Sequence, residues 1–230
     1  MSERVAIYYT PAAGSALSTF AAGWLGRDVS SEQEISRVSV DGLDPSWQKV
    51  ITRSPRRYGF HGTLKAPFTL AGDHAMDDLH QALANFVAGR PAVTLPGLAL
   101  SDLYGFVALV PAAEAPEIND LAAACVEMFE RFRAPLSPAD LERRRQSDLT
   151  CHQDDLLVRW GYPYVMDEFH FHLTLSEFLE PADSHRVIDA LSPVVQPICQ
   201  PPVTIDAVSL LVQTDRQSPF VLVDRFPLSG

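Results

Sequence analysis

The chain has 230 residues; 29 acidic against 18 basic side chains leave a formal charge of −11, with 47% hydrophobic and 20% charged positions. That is enough apolar surface for one domain or two small packed lobes, which excludes intrinsic disorder, while the acidic balance argues against wrapping long nucleic acid. No apolar run approaches the ~20 residues needed to span a bilayer, and Met-Ser-Glu-Arg at the start lacks the order of a signal peptide, so a cytoplasmic protein with no membrane partner is expected. Cys125, Cys151 and Cys199 are far apart and form no CxxC, which suggests neither a disulfide framework nor a zinc knuckle.

In chain order, Val5 to Thr10 is β-branched and aromatic and stops at Pro11, which predicts a strand, and Ser15 to Leu25 has helical spacing. Residues 27 to 55 show no sustained periodicity beyond a short turn at Trp47 to Thr52. Tyr58 to Lys65 alternates as a strand, and Met76 to Ala88 reads as a helix ended by Gly89. Strands are predicted at Val93 to Leu100 and Phe106 to Val110, then a helix from Glu114 to Phe132. Residues 135 to 168 read as a helical connector, with a helix start at Ser137-Pro138-Ala139-Asp140 and a basic run from Arg143 to Arg145. Beyond it come a strand (Phe169 to Ser176), a helix (Asp183 to Leu191) and strands at Val203 to Val212 and Phe220 to Val223.

The second half repeats the first. Phe60-His61-Gly62-Thr63-Leu64 and Phe171-His172-Leu173-Thr174-Leu175 differ only in the middle, and each precedes a helix and then Val93-Thr94-Leu95 or Val203-Thr204-Ile205. The offsets from histidine to threonine, 33 and 32 positions, agree closely. Two matched motifs at matched offsets point to an internal duplication, with units at about 58–110 and 169–226 inside one bilobal domain spanning 1–230. The expected class is α+β: two pseudo-symmetric antiparallel sheets, helices on their outer faces and a cleft between them.

Strand alternation puts His61, Thr63 and Lys65 on one face and the apolar residues on the other; in the second copy His172 and Thr174 share a face with His170 and Ser176. One imidazole and one hydroxyl from each lobe then meet in the cleft, a set suited to cleaving a phosphodiester. One histidine takes a proton from the attacking oxygen, the other gives one to the leaving oxygen, and the threonines donate to the non-bridging oxygens. No metal or other cofactor is required. Lys65 and Arg57 are candidate phosphate ligands, Arg57 because it shares the parity of His61 if the strand reaches back that far, and Tyr8 is either a core aromatic or a cleft residue. A single His-x-Thr would more often be an ordinary strand, and only the pair reverses that balance. His170-x-His172 has metal-ligand spacing but no accompanying HExxH, acidic partner or cysteine cluster. His74, His80, His152 and His185 read as solvated positions.

Paired HxTx motifs of this kind resemble the 2H phosphoesterase superfamily, which includes RNA 2',3'-cyclic phosphodiesterases. Ala6-Ile7-Tyr8-Tyr9, Trp24-Leu25-Gly26-Arg27, the run from Arg57 to Phe68 and Phe169 to Leu175 are similar to an uncharacterised phosphonate-metabolism family encoded beside carbon–phosphorus lyase components. The resemblance implies His61 and His172 as the acid/base pair and Thr63 and Thr174 as phosphate ligands; His170 lies outside the general motif. The expected activity is a metal-independent hydrolase acting on a cyclic phosphodiester or a related small phosphorylated ribose or nucleotide, functionally linked to carbon–phosphorus lyase components. The alternatives are a non-enzymatic module that binds a phosphate ligand or a lyase component, and an RNA 2',3'-cyclic phosphate end-processing enzyme.

Overall fold

The computed structural model describes residues 3–31 and 33–230. Strand β1 (Arg4–Tyr9) leads into helix α1 (Ala16–Leu25), capped by the Ser15 hydroxyl at one end and by left-handed Gly26 at the other. The stretch expected to be irregular carries two short helices, α2 (Pro45–Ile51), capped by Asp44, and α3 (Arg53–Tyr58). The first motif strand therefore starts late, as β2 (Gly62–Phe68), and is followed by α4 (Met76–Val87). The strand predicted over 93–100 is divided at Gly97 into β3 (Val93–Leu95) and β4 (Leu98–Leu103), and β5 (Phe106–Pro111) returns antiparallel. An added Cβ at Gly97 would meet the carbonyl oxygens of Cys199 and Gln200 at 2.9 Å. Backbone packing, together with a φ of 120°, thus accounts for the glycine at the break.

Helix α5 (Pro116–Met128) and a 3-10 turn at Glu130–Phe132 precede the connector, which holds α6 (Pro138–Arg145), α7 (Cys151–Trp160) and a 3-10 turn at Met166–Glu168. The second motif strand is β6 (Leu173–Phe178). Helix α8 (Pro181–Cys199) runs well past the expected end at Leu191, through Pro193 and Pro197. An interior proline costs a helix ~3 kcal/mol, but Leu191, Val195 and Cys199, spaced four apart, are all buried in the core and offset that cost. The chain closes with β7 (Val203–Ile205), β8 (Ala207–Gln213) and β9 (Val221–Pro227).

The α+β architecture comprises a seven-stranded sheet in the order β4-β5-β6-β2-β1-β8-β9 and a two-stranded ribbon of β3 and β7. The two expected sheets are joined: β2 and β6 meet through one pair, Gly62 with Leu173, and each strand then runs on without the other. The β4-β5 hairpin of the first segment pairs with β6 of the second, and the β8-β9 hairpin of the second pairs through β1 with β2 of the first. Residues at matching motif positions face each other in two places, Gly62 with Leu173 and Thr94 with Thr204, as they would on a local two-fold axis.

One face of the sheet carries Val5, Ile7 and Tyr9 and forms the main core with Trp24 of α1, Leu83 of α4, Leu121 of α5 and Leu191 of α8. The opposite face holds a smaller cluster of Ala6, Tyr8, Leu211 and Phe220. The sheet therefore buries one side against helices and leaves the other for the site.

Candidate active site

The single pair Gly62–Leu173 fixes the arrangement of both motifs. In antiparallel register, Thr63 then lies opposite His172, and His61 opposite Thr174, all four on the face away from the two paired residues. The two histidines are diagonal neighbours, with Cα atoms about 7 to 8 Å apart at ordinary sheet spacing. Ala108 of β5 pairs with Thr174, and Tyr8 of β1 with Thr63, so the row continues on both sides.

Gly62 is the one point where the motifs differ, and packing explains it. A Cβ at Gly62 would come within 2.5 Å of the Phe171 ring, which is buried in the core. One motif phenylalanine occupies the space that a side chain at position 62 would need, and that lets β2 and β6 approach at their first residues.

Both imidazoles are oriented in the same way. His61 Nδ1 lies 2.8 Å from the carbonyl of Gly59, and His172 Nδ1 lies 2.7 Å from the carbonyl of His170, in each case two residues upstream. A carbonyl only accepts, so Nδ1 carries the proton and Nε2 is the atom left for proton exchange. Gly59 caps α3 with φ 76° and ψ 166°, a backbone that turns the chain between α3 and His61. Burial pushes the His61 pKa down to about 4; the Gly59 hydrogen bond opposes the shift and His172 adds to it. Burial likewise lowers His172, with the His170 carbonyl opposing and the His170 ring adding to the shift. Both shifts favour the neutral imidazole in the free protein.

Tyr8 is buried at 1% exposure, and its ring stacks on His61 with centroids 3.8 Å apart and planes 20° from parallel. Tyr58 extends the stack, 6.1 Å from His61 and 5.4 Å from Phe220. Arg57 lies on α3 rather than on an extension of β2, so the parity argument for it does not hold. Its guanidinium nevertheless reaches this neighbourhood, 5.3 Å from the Tyr58 ring, and Nη1 donates to the Arg216 carbonyl at 3.4 Å.

Lys65 is turned away from the histidines, and a β-bulge is the reason. Tyr8 pairs with Thr63 but the next residue back, Ile7, pairs with Lys65, so Leu64 is the extra residue and Lys65 shares the helix-covered face with Ile7. There its ammonium, 3% exposed, donates to the Val126 carbonyl at 3.0 Å and to Glu130 Oε2 at 2.9 Å. Burial lowers its pKa and Glu130 pulls it back. Lys65 ties β2 to α5 and the turn after it.

Three residues not singled out from sequence, Arg4, Tyr58 and Tyr162, join the site face, together with Arg144, whose basic run reads from sequence as a solvated helix face or a substrate contact. Arg4 precedes Ala6 and Tyr8 at strand parity, a signal that could have found it. Arg144 stood in a basic run whose helical phase selects it over its neighbours, with its guanidinium 5.2 Å from the Tyr162 ring. Elsewhere, His80 and His152 lie on the surface with Asp224 and Asp167, each at 2.8 Å. His170 is exposed, its Nδ1 3.2 Å from the Glu168 carbonyl. Among the described residues no three His, Cys, Asp or Glu side chains converge as a metal site, and no helix is long and apolar enough to cross a membrane.

The chain is 35% identical over 231 residues to a protein of Janthinobacterium sp. (strain Marseille) named ribose 1,5-bisphosphate phosphokinase PhnN, covering 99% of this chain and 51% of that protein. A protein of the same name from Laribacter hongkongensis (strain HLHK9) is 31% identical over 183 residues, which are 78% of this chain and 41% of its own. The chain thus spans about half the length of the curated relatives it matches. It contains no Gly-Lys dipeptide and hence no P-loop of the GxxxxGK[ST] type. The family model described as "Protein of unknown function (DUF1045)" matches residues 63–221, from the first HxTx threonine to beyond the second motif, and the chain belongs to that family.

Proposed function

We propose that the chain is a 2H-type phosphoesterase that opens a cyclic phosphodiester on a small phosphorylated ribose or nucleotide. The observation that carries this reading is the matched pair of imidazoles, each fixed through Nδ1 on a main-chain carbonyl and each with Nε2 available on one sheet face. His61, kept neutral by burial, takes the proton of an attacking water as the water oxygen bonds to phosphorus. The bond from phosphorus to a ring oxygen breaks, and His172 gives its Nε2 proton to that oxygen. For this His172 must be charged, and the bound phosphate anion favours the charged form. Thr63 and Thr174 donate to the non-bridging oxygens where charge builds up. The product is a phosphomonoester, and the two imidazoles return to their starting charges by exchanging one proton with solvent. No step uses a metal.

The relatives' name describes phosphoryl transfer to a phosphorylated ribose. We assign that transfer to the half of those proteins that this chain does not cover, and infer that this module handles a chemically related ribose phosphate, in keeping with the resemblance to a phosphonate-metabolism family. We further propose that 58–110 and 169–226 descend from one duplicated unit within a single bilobal domain. A second reading, a phosphate-binding module accessory to a kinase, is favoured by the half-length match. Assay of the purified chain against cyclic nucleotides, ribose cyclic phosphates and short RNAs with 2',3'-cyclic ends tests the proposal. Turnover of the small ribose cyclic phosphates is expected. Binding without turnover across the panel would favour the accessory module, and turnover confined to RNA ends would replace the small substrate.

A further inference from the structure

Next to the imidazole pair, the site face gathers arginines in a protein whose formal charge is −11. The Arg4 guanidinium lies 5.6 Å from the Phe220 ring and donates to the neutral side chain of Gln213. Arg57 sits over Tyr58 and Arg144 over Tyr162, and Arg216 links the two, accepting from Arg57 through its carbonyl and pairing with Asp140 on the helix of Arg144. Among the described residues none of these three guanidiniums has a carboxylate in ion-pair contact. The nearby acid, Asp140, is already taken by Arg143 and Arg216 at 2.5 Å each. Arg57 Nε and Arg144 Nε are both buried without a hydrogen-bond partner.

Buried guanidinium nitrogens in native folds nearly always have an acceptor, and a fork of N–H donors without one matches the oxygens of a phosphate. Helix α6 strengthens the point. None of its residues is buried; the Arg145–Asp154 pair fastens it to α7 and the Asp140–Arg216 pair to the loop before β9, and Arg144 is its residue with a buried guanidinium nitrogen. Steps of 6.1 Å from His61 to Tyr58 and 5.3 Å from Tyr58 to Arg57 keep the Arg57 guanidinium within about 11 Å of the His61 ring, a span that a phosphorylated sugar can bridge.

We infer that Arg4, Arg57 and Arg144 form a second phosphate subsite, so that the substrate class is a cyclic phosphodiester bearing a separate phosphomonoester. The inference rests on the phosphoesterase reading for the role of the first subsite, but its own test does not depend on turnover. Ribose 5-phosphate, which has no cyclic ester, serves as the probe in calorimetry on the full chain. Arg57→Gln and Arg144→Gln should each weaken its binding at least about tenfold, as expected for loss of a charge-assisted contact. The double variant His61→Ala/His172→Ala should keep it within about threefold. Thermal melts confirm folding, and Arg144→Gln, on a helix with no buried residue, keeps the test open if Arg57→Gln unfolds. On pentose cyclic phosphates, a 5-phosphate should raise wild-type kcat/KM, and Arg144→Gln should reduce that advantage at least about tenfold. Ribose 5-phosphate binding that ignores the arginine changes, or that disappears with the histidines, would overturn the subsite. Arginine-dependent binding with no hydrolysis of any cyclic phosphate would uphold the subsite and remove the function beside it.

Discussion

Acidification should destabilise this fold through His61 in a way that one substitution abolishes. In the unfolded chain an unperturbed histidine titrates near 6.5, whereas burial holds His61 down to about 4 in the folded protein. Between those values the unfolded state binds the extra proton, so the stability linked to His61 is complete above pH 6.5 and drains away as pH falls toward 4. Each unit of separation is worth about 1.36 kcal/mol, which gives a ceiling of about 3 kcal/mol, and the solvent-facing part of the ring reduces it to about 2 kcal/mol. The assay is urea unfolding, followed by tryptophan fluorescence at intervals from pH 7 to 4, on the wild type and on His61→Gln. The variant cannot take up that proton, so the two stability curves should converge by about 2 kcal/mol as pH falls, while the carboxylate contributions common to both cancel. NMR titration of the His61 ring supplies the independent measure. Curves that stay parallel, or a ring that titrates at 6.5 or above in the free protein, would refute the account of its burial and with it the assignment of His61 as the neutral base.

His61→Ala or His172→Ala should lower kcat on a cyclic phosphate by at least about 10² with little change in substrate binding, and the double variant should be scarcely worse than either, as steady-state kinetics would show. Gly62→Ala should cost about 1 to 3 kcal/mol in chemical denaturation by driving a methyl group into Phe171, and Phe171→Leu in the same chain should recover part of it. Lys65→Met should lower stability by about 1 to 3 kcal/mol while kcat stays within about twofold, because the ammonium braces β2 against Glu130 and does not reach the substrate. Hydrolysis should survive exhaustive dialysis against EDTA; loss of activity restored by zinc or manganese would assign the proton transfers to metal-bound water.

The motif strands were legible because alternation and repetition are properties of neighbouring residues in sequence. His61, Thr63, His172 and Thr174 needed only the period of a strand and the match between two segments for their common face to be read. Lys65 was misread by the same rule, since a bulge at Leu64 is set by the partner strand β1 and leaves no mark on the local alternation. Arg57 shares the parity of His61 only if the strand reaches back past Tyr58, yet Arg53–Tyr58 is a helix, whose Arg56 carbonyl accepts from Arg27 Nη1 and whose Arg57 carbonyl accepts from the Phe220 N–H. The joining of two sheets through Gly62 and Leu173 depends on Phe171 filling a vacancy across the axis, a contact between segments 109 positions apart that no window of sequence contains. Arg144 could not be told from its neighbours in the basic run for a related reason: its significance lies in a buried Nε without a hydrogen-bond partner, which only the assembled face reveals.

The exchange of hairpins also constrains when the site can exist during synthesis. The register of β1 with β8 joins Val5 to Val212 and Tyr8 to Ser209, so the strand carrying the ring under His61 is open along one edge until residues 207–213 have been made. At ribosomal rates of about 5 to 20 residues per second, that edge waits on the order of ten seconds or more for its partner. Pairings this distant in sequence are slow to form and leave apolar strands open to wrong partners in the interval. Cells that make this protein at high level should therefore carry its nascent chains on a holding chaperone until β8 and β9 emerge, and ribosome-bound chains halted before residue 207 should be protease-sensitive throughout β1.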